Sequence, residues 1–216
     1  AGLTITQSDG VTFNSTLDIT DGSPGTLTVT DTEDGSDIVF NGAVTLEAVS
    51  FAAAGYDLVF NGSGNTFANA ATFQNTGTLN LGNASGDTFV FDAGLTESTT
   101  GTVTLAGSID STNDDITFGA ITLATATTID TNATDTTGDI IIGAVTGANN
   151  NLTLDTTAST GSADITFNGD INLGTGALDV TGDVVLGANV TLTTTKSSGN
   201  GIIIRDAINA DSASSN

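Results

Sequence analysis

The decisive stretch is Asp164-Ile165-Thr166-Phe167-Asn168-Gly169-Asp170-Ile171-Asn172-Leu173. Ile165 and Phe167 flank Thr166, and Ile171 and Leu173 flank Asn172, so two short runs alternate apolar and polar residues. Alternation with period two turns one side of each run inward and the other outward, which describes a β-strand and not a helix. The residues between the runs, Asn168-Gly169-Asp170, favour a turn.

The pattern recurs along the whole chain, and recurrence of one supersecondary unit marks repeat architectures. A first copy begins at Asp9. Asp37-Ile38-Val39-Phe40-Asn41-Gly42 and Asp57-Leu58-Val59-Phe60-Asn61-Gly62 are the next two. Further copies begin at Asp87, Asp115, Asp139, Asp164 and Asp183, and Gly201 to Arg205 is a ninth that lacks the Asp. Nine copies in 216 residues give a spacing of about 24 residues, with three apolar-x-apolar runs in a typical interval. Three strands and three corners per interval make one coil of a parallel β-solenoid, and coils stack about 4.8 Å apart with like residues above like. The expected fold is therefore all-β, a right-handed parallel β-solenoid (β-helix) of about nine coils with three short strands per coil. It forms a single domain over residues 1–210, with a flexible polar tail at 211–216. The copies are expected on one face, one per coil, with Phe40, Phe60, Phe118 and Phe167 stacked inside. A β-sandwich shares the short strands and frequent turns but has no reason to repeat one motif nine times.

Composition narrows the function. There are 25 acidic residues and only two basic ones, Lys196 and Arg205, for a net charge of -23. Nucleic acid and anionic lipid both need clusters of Lys and Arg, so neither is an expected partner. Cys is absent, which removes disulfides and thiolate metal sites. No run approaches 18 apolar residues, so no membrane insertion as a helix is expected.

The aspartates Asp37, Asp57, Asp87, Asp115, Asp139, Asp164 and Asp183 each precede the first strand of a copy. Carboxylates stacked about 5 Å apart repel by about 0.8 kcal/mol per neighbour in water before screening. Either each accepts a backbone N–H at its corner, as in an Asx turn, or calcium bridges the row. Calcium is the one candidate cofactor, and the Gly-Gly-x-Gly-x-Asp motif of calcium solenoids is absent.

The residue between each inward pair faces out. Six of these eight are apolar, namely Val39, Val59, Val90, Ile141, Val185 and Ile203, beside Thr117 and Thr166. With Arg205, this stripe is the candidate interface. That β-branched residues simply suit strands stays open as the other account. Thr-x-Thr runs such as Thr28-Val29-Thr30 and Thr191-Leu192-Thr193 suit an ice-binding face, one that Glu47 and Asn172 are expected to interrupt.

Catalysis is not expected. The chain has no His, no Cys and two bases to stabilise developing charge. Asp114 and Asp115, neighbours on a strand, would point to opposite faces.

The Asp-Ile-x-Phe-x-Gly-x-Ile-x-Leu pattern resembles the β-strand repeats of large bacterial exoproteins, including filamentous-haemagglutinin-like adhesins and giant β-strand-repeat surface proteins. The likeness spans essentially the whole chain and is one of repeat style. It implies an extracellular, bacterial cell-surface role as stalk, filament or adhesin, with no catalytic residues to carry over. An Asn-Pro-Asn-Gly-type secretion motif and a C-terminal membrane barrel are missing, so the chain reads as a fragment of such a protein or a small secreted relative. Implied partners are further copies, head-to-tail or lateral, other surface proteins, or polysaccharide. In head-to-tail stacking Ile202-Ile203-Ile204 meets the region Leu3 to Phe13 of the next copy, and Arg205 and Lys196 meet acids such as Asp9 or Asp18. The runner-up is a calcium- or surface-binding module that reads its ligand through the long interval Gly62 to Gly86.

Overall fold

Parallel, in-register pairing organises the whole chain in the computed structural model, which describes residues 1–20, 25–99, 101–132, 137–156 and 163–210. Among these residues all regular structure is β-strand. Most runs are too short to build a core by themselves, so the chain turns after two to four residues and lays its next strand against another face. The result is a three-faced, right-handed parallel β-solenoid. The turn sequence Asp21 to Pro24 and the tail 211–216 lie outside the described residues.

Face I carries Leu3–Ile5, Thr26–Val29, Ala48–Phe51, Ala71–Phe73, Leu95–Glu97, Ile116–Phe118, Ile140–Ile142, Asp164–Phe167, Asp183–Leu186 and Ile208–Ala210. Its ladder is interrupted between Ala48–Phe51 and Ala71–Phe73, where the Gln74 amide Nε2 donates to the Phe51 carbonyl instead (2.6 Å). Face II begins with Val11–Phe13, Asp37–Phe40, Asp57–Phe60 and Leu79–Leu81. Face III begins with Leu17–Ile19, Val44–Leu46, Asn65–Phe67 and Thr88–Phe91. Two long strands, Val103–Ser111 and Ile121–Asp130, then run across both faces. Val103–Ser111 bends at Gly107, whose φ is 80° and where a Cβ would stand 2.1 Å from the Asp87 carbonyl oxygen. Both requirements select glycine. Face II closes with Val145–Thr146, Ile171–Asn172 and Leu192–Thr193, and face III with Leu152–Asp155, Leu178–Thr181 and Ile202–Ile204.

The core is stratified. Phe13, Phe40 and Phe60 stack on face II with centroids 5.0 and 4.7 Å apart, Phe67 and Phe91 on face III at 4.6 Å, and Phe51 and Phe73 on face I at 5.2 Å. Phe60 meets Phe67, Phe73 and Phe89 edge-on at 6.0 to 6.3 Å, so the three columns interlock in the third and fourth coils. Offset and edge-on rings of this kind add to area burial. Later coils are filled mainly by Ile, Leu and Val, with Phe118 and Phe167 on face I separated by Ile142.

The nine motif copies do not share a face. The first three lie on face II, those at Asp87 and Gly201 on face III, and those at Asp115, Asp139, Asp164 and Asp183 on face I. Phe40 and Phe60 are therefore stacked as expected, whereas Phe118 and Phe167 are buried in a different column. The physical reason is that every face asks for the same buried-outward-buried triplet, and corner lengths vary. The 28-residue step from Asp9 to Asp37 returns to the same face, and the 28-residue step from Asp87 to Asp115 moves to the next one. The interval Gly62 to Gly86 is likewise no side loop. It holds three ordinary strands, Asn65–Phe67, Ala71–Phe73 and Leu79–Leu81.

Because Phe60 touches all three aromatic columns, Phe60→Ala is expected to cost about 3–5 kcal/mol. Phe13→Ala, at a half-buried ring in the first coil, is expected to cost less than half as much. Denaturant unfolding followed by circular dichroism checks both, and equal losses would contradict the interlocked centre.

Candidate functional site

The Asp row divides as the copies do. Asp37 lies in register with Asp57 on face II and Asp164 with Asp183 on face I, while Asp87 stands before a face III strand. Among the described residues, five of the seven carboxylates, all but those of Asp37 and Asp164, accept from backbone donors. Asp115 Oδ1 accepts from Asp139 N (2.9 Å), Asp139 Oδ1 from Asp164 N (2.8 Å) and Asp183 Oδ1 from Ala207 N (3.1 Å). Asp57 Oδ1 accepts from Thr78 N (2.5 Å). In each case the donor sits one coil further on, so the bond ties adjacent coils rather than closing a local turn. Asp87 alone accepts locally, from Asn83 N (2.8 Å) and Ala84 N (2.9 Å). Burial, then the charges of Asp139 and Asp183, hold the Asp164 carboxyl above its ordinary value. Among the described residues no three acidic side chains converge as a metal cage would require.

The outward apolar residues are scattered over three faces. Val39 and Val59 adjoin on face II. Ile141 and Val185 on face I are separated by Thr166, and Val90 and Ile203 lie far apart on face III. They do not form the single stripe that a shared face would have given. Arg205 Nη2 contacts both carboxylate oxygens of Asp179, one coil back, at 2.7 and 2.8 Å. This pair joins adjacent coils of the same chain, so meeting Asp9 or Asp18 of another copy would require it to open.

Stacking also produces rows that are invisible without the register. Asn14, Asn41, Asn61 and Asn83 form an amide ladder in which each Nδ2 donates to the preceding Oδ1 at 3.0 Å. On face III Asp110, Asp130 and Asp155 stand in direct register, facing outward in mid-sheet. Burial raises the pKa of Asp110 and Asp130. A hydrogen bond from Ser108 or from Asn132 N partly opposes the rise, and the next carboxylate adds to it. On face I a run of hydroxyls, Thr4, Thr28, Ser50, Thr72, Thr96 and Thr117, occupies successive rungs. The step from Ser50 to Thr72 follows from the Phe51–Phe73 stack beside it. Neither residue expected to interrupt a Thr face lies in this row. Glu47 Oε2 accepts from Gly25 N at a corner (2.8 Å), and Asn172 belongs to face II. Asp114 and Asp115 precede the strand Ile116–Phe118 instead of lying within it, and with Asp139 they line one groove. Local alternation revealed none of these rows, because each depends on corner lengths.

Neither protein-family models, nor curated proteins, nor solved structures give a match to this chain.

Two outcomes follow from the carboxylate rows. Since backbone N–H groups satisfy five of the seven corner aspartates and no acidic cage forms among the described residues, chelation at low ionic strength is expected to leave the melting temperature unchanged, with sodium and calcium salts equally effective at matched ionic strength. A drop of several degrees on chelation would instead establish a calcium row. For Asp110 and Asp130 the folded pKa exceeds the unfolded one, so the folded state binds protons more tightly. Their contribution is present below the ordinary value of 3.8 and is lost as pH rises through the raised value. Asp130→Asn keeps an acceptor for Asn132 N and removes the charge, so it is expected to raise the melting temperature at pH 8 by about 2 °C. The gain shrinks as pH falls towards 4, and calorimetry across that range checks the sign.

Proposed function

We propose that the chain is a non-enzymatic structural segment of an extracellular, bacterial surface solenoid, and that its end coils accept further β-coils, either of the same polypeptide or of another copy. The supporting observation is the state of the two ends. Among the described residues the outer edges of Leu3–Ile5, Val11–Phe13 and Leu17–Ile19 have no strand partner. The same holds at the other end for Leu192–Thr193, Ile202–Ile204 and Ile208–Ala210. The core rows run out to these edges uncovered, with Leu3, Val11, Phe13, Leu17 and Ile19 half-buried, Ile202 38 % exposed and Ile208 54 % exposed. Open edges bearing apolar residues invite strand addition. Head-to-tail addition repeats one heterologous contact, and a translation that does not close propagates as a rod.

Leu178 N donates to the Gly201 carbonyl and Arg205 N to the Val180 carbonyl, so residues 201, 203 and 205 face inward along the ladder. The donors at the free edge are therefore those of Ile202 and Ile204, and Ile202→Pro removes one without touching the internal ladder. The wild-type chain is expected to form rods by electron microscopy and concentration-dependent fast species on sedimentation. Ile202→Pro is expected to shift the equilibrium to monomer with an unchanged circular dichroism spectrum. A wild type that stays monomeric at millimolar concentration refutes stacking between copies.

A further inference from the structure

We infer that face I carries a lateral binding groove for an uncharged polysaccharide chain lying along the solenoid axis. The groove encloses about 450 Å³ and spans four successive rungs. Ala70, Ala93 and Gly94 leave its floor low, with Thr72 and Thr96 on one side and Asp114, Asp115 and Asp139 at the far end. The floor cannot rise at Gly94. Its φ is 86°, and a Cβ there would stand 2.7 Å from the Asp115 carbonyl oxygen.

Three observations select the ligand. First, the hydroxyls of Thr4, Thr28, Ser50, Thr72, Thr96 and Thr117 take part in none of the side-chain hydrogen bonds described above. Within the paired strands, Thr4–Thr28–Ser50 and Thr72–Thr96–Thr117, they present donors and acceptors to solvent at the strand spacing of about 4.8 Å. An extended pyranose chain advances by a similar step per sugar, so successive sugars meet successive rungs. Second, the outward positions of the first five rungs of face I, Thr4, Thr26, Thr28, Ala48, Ser50, Thr72 and Thr96, include no charge, in a chain whose net charge is -23. Third, Asp115 and Asp139 each commit Oδ1 to a backbone N–H and keep Oδ2 to accept a sugar hydroxyl. The same carboxylates repel uronates and sulfated glycans, and neither base of the chain lines the groove. A concave groove does not present the plane that a crystal of ice would need. All three groups of stacked rings are buried or half-buried inside, so recognition rests on hydrogen bonds and not on ring stacking.

The site lies on the side of the rod and is independent of its ends, so the test uses dilute, monomeric protein and reads nothing from assembly. Soluble neutral oligosaccharides of β-glucan, mannan, xylan and galactan are titrated calorimetrically, with polygalacturonate as the anionic comparison. The double variant Thr72→Val/Thr96→Val deletes two hydroxyls and preserves shape and strand preference. Thr128→Val/Thr153→Val does the same on face III. The expected result is binding of at least one neutral glycan and none of polygalacturonate. The face I variant weakens that binding roughly tenfold or more, and the face III variant leaves it unchanged. Equal melting temperatures confirm that both variants fold. Failure of every neutral glycan to bind at millimolar concentration, tighter binding of polygalacturonate, or indifference to Thr72→Val/Thr96→Val overturns the inference.

Discussion

The constraint on which the structure depends is parallel register, held within each face and shifted at the corner between Leu105 and Gly107. A residue lies about 4.8 Å from its counterpart one coil away, with nothing between them. Hydrogen bonding fixes that distance, so the chain chooses only which side chains are stacked. For apolar residues the choice is easy, and Phe13, Phe40 and Phe60 fall into a column because stacked rings fit the strand spacing. For polar residues the same register sorts side chains by whether they can satisfy a copy of themselves. An amide both donates and accepts, so Asn14, Asn41, Asn61 and Asn83 close a self-sufficient ladder. A carboxylate only accepts, so stacked aspartates need donors from elsewhere, and the N–H of the next corner supplies them. The abundance of Thr, Asn and Asp at outward positions is thus a consequence of stacking as much as of solubility.

Glu97 shows how far this logic extends inward. It stands in register with Phe73, at a position that elsewhere holds an apolar side chain, and is 5 % exposed. Its Oε2 accepts from Gly119 N at 3.0 Å and its Oε1 from Thr99 N, so the carboxylate caps two corners at once. Asn65 does similar work while fully buried. It accepts from Val44 N (3.1 Å) and donates to the carbonyls of Gly62 and Thr88. A buried polar group is tolerated where such bonds replace those it made with water.

The fold class was legible because its signals are local. Ile165-Thr166-Phe167 declares a strand and Asn168-Gly169-Asp170 a corner without reference to anything distant. Face assignment was not legible, since it accumulates over every corner between two copies, and an error of a few residues moves a triplet to the next face. The candidate site suffered the same way. Val39 and Ile141 share a place in the motif but not a face, and Asp114 and Asp115 look like strand neighbours until the strand is seen to begin at Ile116. Arg205 was recognisable as one of two cations, but its partner Asp179 lies one coil away and needed the register. The hydroxyl row of face I was hidden because its members come from strands with little else in common.

Uneven core chemistry along the axis gives the rod a direction in stability as well as in sequence. On face III the inward column passes from Phe67 and Phe91 to Ser111, and the register then places Thr131 and Thr156 beneath it. Ser111 and Thr156 spend their hydroxyls on the carbonyls of Asp114 and Ala163, while Thr131 Oγ1, like Thr32 Oγ1 in the second coil, is buried with no partner. An unpaired buried hydroxyl costs about 1–3 kcal/mol, whereas the aromatic column it follows is stabilised by each added ring. In a solenoid, stability is a sum over neighbouring coils, so a weak step is not averaged away by strength elsewhere. The interlocked rings of the third and fourth coils add ring-to-ring contacts that the later coils lack among the described residues, and the hydroxyl column marks where that support declines. Opening under heat or load should therefore proceed from the late coils towards Phe60, leaving the aromatic coils as the last part to lose their shape.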